Sequence, residues 1–155
     1  MARQIVYWDS VAFLGLLNGE PDKAASCEDV WKAGERGLLV IVTSTLTVAE
    51  VIYAKGVPKL DPAKRPLVNN FFRAGHIVQK PLTRTIAELA RDVVWDSNVR
   101  PKDAVHVATS AYYKIKEFHT FDDGLLNAKS IQVNGFSVAV QKPYATRQLE
   151  LPHDD

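Results

Sequence analysis

The chain has 155 residues, 46% hydrophobic and 24% charged: a one-domain length, enough apolar residues for a core, and the composition of a soluble protein. No run approaches the roughly 20 apolar residues of a membrane span, and Met1-Ala2-Arg3-Gln4 leads into an apolar stretch too short for a secretory leader, so a cytoplasmic protein is expected. The single cysteine, Cys27, excludes an internal disulfide and a cysteine-rich zinc site; on an apolar helical face it reads as a small buried hydrophobe.

Net charge is +1 but unevenly spread. Residues 1–54 carry 4 Lys/Arg against 7 Asp/Glu, residues 55–102 carry 10 against 4, and residues 103–155 carry 5 against 7. A basic middle between acidic ends suits an anionic polymer held beside a cation site, since phosphate contacts come mainly from Lys and Arg. An ordinary solvated surface would give the same counts.

In chain order, Ile5-Val6-Tyr7-Trp8 reads as a short buried strand. Asp9-Ser10 ends it and opens a helix through Asn18, stopped by Gly19-Glu20-Pro21. Cys27, Val30, Trp31 and Gly34 recur at helical spacing in a second helix, 22–35, which Gly37 breaks. Leu38-Leu39-Val40-Ile41-Val42 has no alternation, as in a strand covered on both faces. The junction Thr43-Ser44-Thr45-Leu46-Thr47 starts a helix through about Ala54. Gly56, Pro58, Pro62 and Pro66 make 55–66 a loop. A short helix over about 66–74 carries Leu67, Phe71 and Phe72 and ends at Gly75.

His76 to Gln79 is a weak strand. Thr83 or Thr85 caps a helix with the face Ile86, Leu89, Ala90, Val93 and Val94. Pro101 opens the next, with Ala104, Val107, Ala108, Ala111 and Ile115 inward. Phe118 to Phe121 and Val138-Ala139-Val140 are the last strands, and a polar, loose tail follows Lys142. Strands alternating with helices predict a three-layer α/β/α sandwich around a mainly parallel sheet of about five short strands, with 1–142 as one domain and 143–155 as its tail. Ligands of such sheets bind beyond the carboxyl ends of the strands.

Four acids stand at or near that edge: Asp9, Glu50, Asp103 and Asp122. Each follows an apolar run and a hydroxyl or turn signal and precedes an amphipathic stretch. Asp9 and Asp122 directly follow strands, while Glu50 and Asp103 are placed in the first turns of helices. Carboxylates so gathered suit a hard divalent cation, Mg²⁺ or Mn²⁺. Each also has a local alternative. Asp9-Ser10 is a helix cap, Thr47-Val48-Ala49-Glu50 and Thr85-Ile86-Ala87-Glu88 match a capping box, Asp103 complements a helix dipole, and Asp122-Asp123-Gly124 is a turn. Among the histidines, His106 reads as packed or hydrogen-bonded and His119 as structural. His76 and His153 read as surface residues.

Tyr7-Trp8-Asp9-Ser10-Val11-Ala12-Phe13-Leu14, Ser44-Thr45-Leu46-Thr47-Val48-Ala49-Glu50-Val51, Pro101-Lys102-Asp103-Ala104-Val105-His106-Val107-Ala108-Thr109 and Thr120-Phe121-Asp122-Asp123-Gly124-Leu125 resemble, in order, the four motifs of the PIN domain. This is the nuclease fold of VapC-type toxins and several RNA-processing enzymes. The resemblance spans about residues 4–141. It implies a metal-dependent ribonuclease that hydrolyses RNA phosphodiesters with metal-activated water. In that reading Asp9 and Asp103 are the principal ligands, and Glu50 and Asp122 hold waters, a second metal or the attacking water. Asp123 is the alternative fourth acid, and Ser10 and Thr120 hydrogen-bond the carboxylates.

The resemblance further implies an antitoxin partner and a homodimer whose paired sites face a common groove. Trp31, Phe71, Phe72, Tyr112 and Tyr113 are more aromatics on helical segments than one small core needs. Lys59, Lys64, Arg65, Arg73 and Lys102 are the candidate phosphate contacts. Two other classes place acids or this fold in similar settings: an aspartyl-phosphate phosphatase or receiver, and a non-catalytic RNA- or protein-binding module.

Overall fold

The structure is a computed structural model that describes residues 3–53 and 58–146. Strands and helices alternate: β1 Gln4–Trp8, α1 Ser10–Leu17, α2 Ala24–Glu35, β2 Leu39–Ser44, α3 Thr45–Glu50, a 3-10 turn Pro62–Lys64, α4 Arg65–Arg73, β3 Ile77–Lys80, α5 Arg84–Ser97, α6 Pro101–Tyr112, β4 Glu117–His119, α7 Asp123–Ala128, β5 Ser130–Val133 and β6 Phe136–Gln141. The strands form one sheet in the order β3-β2-β1-β4-β6-β5, with every neighbour parallel except the β5–β6 pair. Among the described residues no helix is long and apolar enough to cross a membrane.

Strand periodicity divides the core. Val6 and Trp8 of β1 point to one face and pack with Ala12, Phe13, Cys27, Val30 and Phe72 from α1, α2 and α4. Tyr7 points to the other, among Ile86, Ala90, Val93, Ala104, Val107 and Ala108 of α5 and α6. The sheet therefore lies between two helical layers, as the alternation predicts. Cys27 is buried, as its helical position implied. Ile5 departs from the expected buried strand: it is 51% exposed, on the floor of an open cleft with Val40, Val78 and Ile115.

The sixth strand is the main difference from the sequence reading. Ser130-Ile131-Gln132-Val133 alternates exposed and buried residues, and Asn134-Gly135 joins it to β6. Both turn residues have positive φ, 48° and 78°, as a two-residue type I′ hairpin requires. The Asn-Gly pair was the available signal. Other boundaries shift. The fourth strand, expected over 118–121, ends at His119, and α3 stops at Glu50 instead of Ala54. Within the stretch expected to be loop, Pro62–Lys64 forms the 3-10 turn, while 54–57 lie outside the described residues. The tail is held as far as Thr146, whose N–H and hydroxyl donate to Gln4 Oε1 at 2.9 and 3.0 Å.

Neither capping box forms. The α3 cap is Ser44, whose hydroxyl accepts from the Leu46 N–H at 3.1 Å, and Thr47 instead pairs with Thr43 at 2.7 Å. Thr83 caps α5 by accepting from the Ile86 N–H at 3.2 Å, and Glu88 pairs with Arg84. The aromatic surplus is largely absorbed by the core. Trp31 packs edge-on against Phe71 and His76, and Phe72 packs against Phe13. His76 is accordingly half-buried and not the surface residue expected, whereas His153 lies outside the described residues.

The seat of His76 depends on Gly34. A Cβ built there would stand 2.3 Å from the His76 ring, while one at Gly75 would meet nothing within 4 Å. Gly34→Ala is expected to destabilise the fold by about 1–3 kcal/mol through overpacking. Gly75→Ala should change it by under ~0.5 kcal/mol. Thermal melting of the two variants side by side checks this, and equal melting points would refute the packing account.

Candidate active site

Parallel strands deliver their carboxyl ends to one edge, and the helices that lead back into the sheet begin there. Asp9 directly follows β1, the segment from Thr120 to Asp122 follows β4, and Asp103 lies in the first turn of α6. Glu50 arrives differently. It is the last residue of α3 and not in a first turn, so its side chain is available for a tertiary contact.

Asp9 is 2% exposed. Its Oδ1 accepts from the Ala12 N–H at 3.0 Å, capping α1, and its Oδ2 accepts from the Thr120 hydroxyl at 2.5 Å. Thr120 in turn accepts from the Asp122 N–H at 3.0 Å, and Asp122 Oδ2 accepts from the Leu125 N–H at 2.9 Å, capping α7. The hydroxyl on Asp9 is thus Thr120's, whereas Ser10, also expected there, begins α1 half-buried. Asp122 turns toward Asp103 and Arg100, and Asp123 is exposed. The capping and dipole alternatives for Asp9, Asp103 and Asp122 describe real contacts, and the same three carboxylates are near neighbours.

Charge couples the members of the group. Burial pushes the Asp9 carboxyl up to about 6; His106, Thr120 and the Ala12 N–H oppose the shift, and Asp103 adds to it. Asp103 is also raised, by burial first and then by Asp122, with Glu50 a smaller contributor; Arg100 and His106 counter. Asp103 is therefore the centre of mutual repulsion among the four acids. Arg100, which sequence reasoning missed, lies between two of them. Its Nε is 3.7 Å from Asp103 Oδ2 and its Nη2 is 3.8 Å from Asp122 Oδ1. A cation three residues before an acid at a helix start was the signal available. Arg100, Asp103 and Asp122 line a cleft of about 150 Å³ with Asn98, Val99 and Gly124.

His106 was expected to be packed or hydrogen-bonded, and it is both, between Tyr7 and Glu50. His119 is buried and accepts from Trp8 Nε1 at 3.1 Å; burial lowers it to about 3, so it is a neutral structural residue. Among the described residues, no three His, Cys, Asp or Glu side chains stand close enough to hold an ion as they are. The donor chemistry nevertheless fits a hard cation. Asp9 is a buried oxygen donor and Asp103 a partly buried one, and the charge of Asp103 adds to the raised affinity of Asp9 for positive charge. Mg²⁺ takes only one or two protein carboxylates directly and keeps waters for the rest, so two principal acids suffice.

Of the candidate phosphate contacts, Lys59, Lys64 and Arg65 line one cleft of about 410 Å³ with Val48, Val51 and Ile52, alongside the helix that carries Glu50. Lys102 is exposed next to Asp103, and Arg73 is exposed at the end of α4.

The PIN domain family model matches residues 6–130, and the chain belongs to that family. Its fold is similar to that of Mycobacterium tuberculosis VapC20, a sarcin-ricin loop cleaving toxin. The TM-score is 0.60 at 14% identity over 79% of this chain and 94% of the other. It is also similar to a chain of a toxin–antitoxin complex from Klebsiella pneumoniae, with a TM-score of 0.59 at 17% identity over 90% of this chain and 98% of that one. No curated protein matches the sequence.

The raised Asp9 carboxyl has a stability consequence. The folded value of about 6 lies above the ordinary aspartate value of 3.8, so below about pH 4 both states hold the proton and nothing is lost. Between about 4 and 6 the unfolded chain ionises first, and metal-free stability falls as pH rises. Above about 6 the full penalty applies, on the order of 3 kcal/mol. Asp9→Asn should remove this part of the slope and leave metal-free melting at pH 7 equal to or above wild type. Melting curves in EDTA from pH 4 to 7.5 test it, and a variant that melts lower at pH 7 with an unchanged slope would refute it.

Proposed function

We propose that the chain is a Mg²⁺- or Mn²⁺-dependent endoribonuclease, the toxin of a toxin–antitoxin pair. The observation that carries this reading is the pairing of a desolvated Asp9 with Asp103 at the carboxyl edge of a PIN sheet, with Asp122 and Glu50 close enough to raise Asp103 further. Such repulsion is relieved by a cation. Family membership leaves the aspartyl-phosphate reading without support, and the toxin structures that share the fold favour RNA cleavage over a binding module.

Asp9 and Asp103 would hold the metal, which when bound lowers the pKa of its water and stabilises charge on a phosphoryl oxygen. Thr120 keeps Asp9 aimed by donating to Oδ2. Glu50 and Asp122 orient water at the rim, and Asp122, facing Asp103, serves in preference to Asp123. Arg100 offsets the charge on Asp103 and Asp122 before substrate arrives and is exposed enough to turn to a phosphate oxygen. Lys59, Lys64 and Arg65 form the phosphate track in this reading, with Lys102 and Arg73 beside it. The exposed apolar residues Val48 and Ile52, which line the same cleft as Lys59, Lys64 and Arg65, would supply a surface for a second copy or an antitoxin segment.

Asp103→Asn should lower Mn²⁺-dependent RNA cleavage by roughly 100-fold or more, while its melting point in EDTA holds or rises. Cleavage assays with and without EDTA, beside melting curves, read both quantities. Lower melting together with full cleavage would end the metal-site reading.

Reversing Lys64 and Arg65 to Glu should weaken RNA binding uniformly across sequences. The log–log salt slope should fall by roughly 0.7 for each phosphate no longer neutralised. Binding titrations with catalytically silent Asp103→Asn protein over a range of salt concentrations check this. An unchanged slope would assign these charges to solubility.

A further inference from the structure

The helix α6 begins with an acid of the site and continues as a buried stretch, Ala104 to Ala111, in which one large polar side chain stands out. His106 is 2% exposed. An imidazole buried without partners is costly, and here both nitrogens are used. Nδ1 lies 2.6 Å from the Tyr7 hydroxyl, and Nε2 lies 2.6 Å from Glu50 Oε1.

The direction of these bonds follows from what each group can do. An ionised carboxylate only accepts, so Nε2 carries a hydrogen and donates to Glu50. At Nδ1 the partner is the Tyr7 hydroxyl. Burial raises the Tyr7 pKa well above its ordinary value, which keeps that hydroxyl protonated. Tyr7 is itself closely packed. It sits in the central strand β1, fully buried, with its ring stacked on Phe118 at 5.1 Å and 14°.

Glu50 needs such an anchor. It closes a helix of six residues, and Val51 already leaves helical geometry at φ −77° and ψ 65°. Its other described contact in the site is the charge of Asp103, which repels it. Without His106 its long side chain would be free to turn to water.

We propose that His106 is a positioning residue for Glu50: the relay from Tyr7 through His106 takes Oε1 and leaves Oε2 as the one oxygen that Glu50 presents to the site. This rests on the metal-dependent reading above and refines it. Glu50 then serves a cation, or a water on it, through a single oxygen and in a fixed direction, and not as a bidentate ligand. The residue acts only through Glu50 and touches no reacting atom.

The test is a mutant cycle on the full chain with two readouts, Mn²⁺ binding in the absence of RNA and Mn²⁺-dependent cleavage of total RNA. His106→Phe removes both bonds, and His106→Gln retains an amide N–H for Glu50. Tyr7→Phe removes only the far anchor, and Glu50→Ala removes the group being positioned. His106→Phe should weaken Mn²⁺ binding and cleavage by about 10–100-fold. His106→Gln should recover most of the loss, Tyr7→Phe should show a smaller loss in the same direction, and in the Glu50→Ala background His106→Phe should have no further effect.

Equal losses in His106→Gln and His106→Phe would overturn the proposal, as would an additive loss in the Glu50→Ala background. If His106→Phe fails to fold, Tyr7→Phe takes its place: a loss that disappears in the Glu50→Ala background supports the proposal, and an unchanged wild-type level or an additive loss overturns it. Failure of the ribonuclease reading shows itself separately, as wild-type protein that binds Mn²⁺ but cleaves no RNA, while the binding cycle still reports on His106.

Discussion

A carboxylate buried at the end of the central strand is the constraint around which the rest of this molecule is arranged. Asp9 follows β1 into the interior, where an unpaired charge is not tolerated. Two hydrogen bonds hold it, one from the first turn of α1 and one from Thr120 beyond β4. Because Thr120 is distant in the chain from Asp9, β1 and the β4–α7 connection must be in register before Asp9 is satisfied. Even so, its carboxyl is pushed up to about 6. The remaining electrostatic stress favours positive charge at this edge of the sheet.

The α6 helix distributes that stress. Its start brings Asp103, with Arg100 just before the helix, to the same edge, and one turn further His106 reaches across to Glu50. The Arg100 guanidinium beside Asp103 and Asp122 offsets part of the repulsion among these acids. The apolar remainder of α6 packs on α5 and the sheet, fixing the helix and with it the spacing of the acids. The residues that anchor α6 in the core are the ones that keep Asp103 and His106 in place.

The basic residues lie apart from this centre. Lys59, Lys64 and Arg65 border a cleft beside α3, in the segment whose proline content marks it as irregular. None of the three pairs with Asp9 or Asp103 among the described ion pairs, whereas Arg100 stands beside Asp103 and Asp122. A site that is acidic within and basic at its rim fits an anionic chain laid across a cation.

Much of this was legible from residue order. The Leu38–Val42 run, the Pro101 helix start and the Asp9-Ser10 strand end are local signals, and local sterics and hydrogen bonding produced those elements. The four acids could be named because each sits at a strand or helix boundary. The β5 strand was legible too, through Asn134-Gly135, but the turn signal went unused. What no local pattern could supply was contact between segments. Thr47-Val48-Ala49-Glu50 has the letters of a capping box, yet Ser44 caps the helix and Glu50 turns to His106, 56 positions away. The pairing of Trp31 with His76 against Gly34, the placement of Arg100 between two acids, and the choice of Thr120 over Ser10 as the donor to Asp9 are of the same kind. Chain order determined the element types, the parallel architecture and the residues that could carry charge at the sheet edge, because these depend on periodicity and local backbone preference. Only the tertiary structure decided which carboxylates feel one another and which side chains hold them, because hydrogen bonds and charge interactions depend on distance in space and not on separation along the chain.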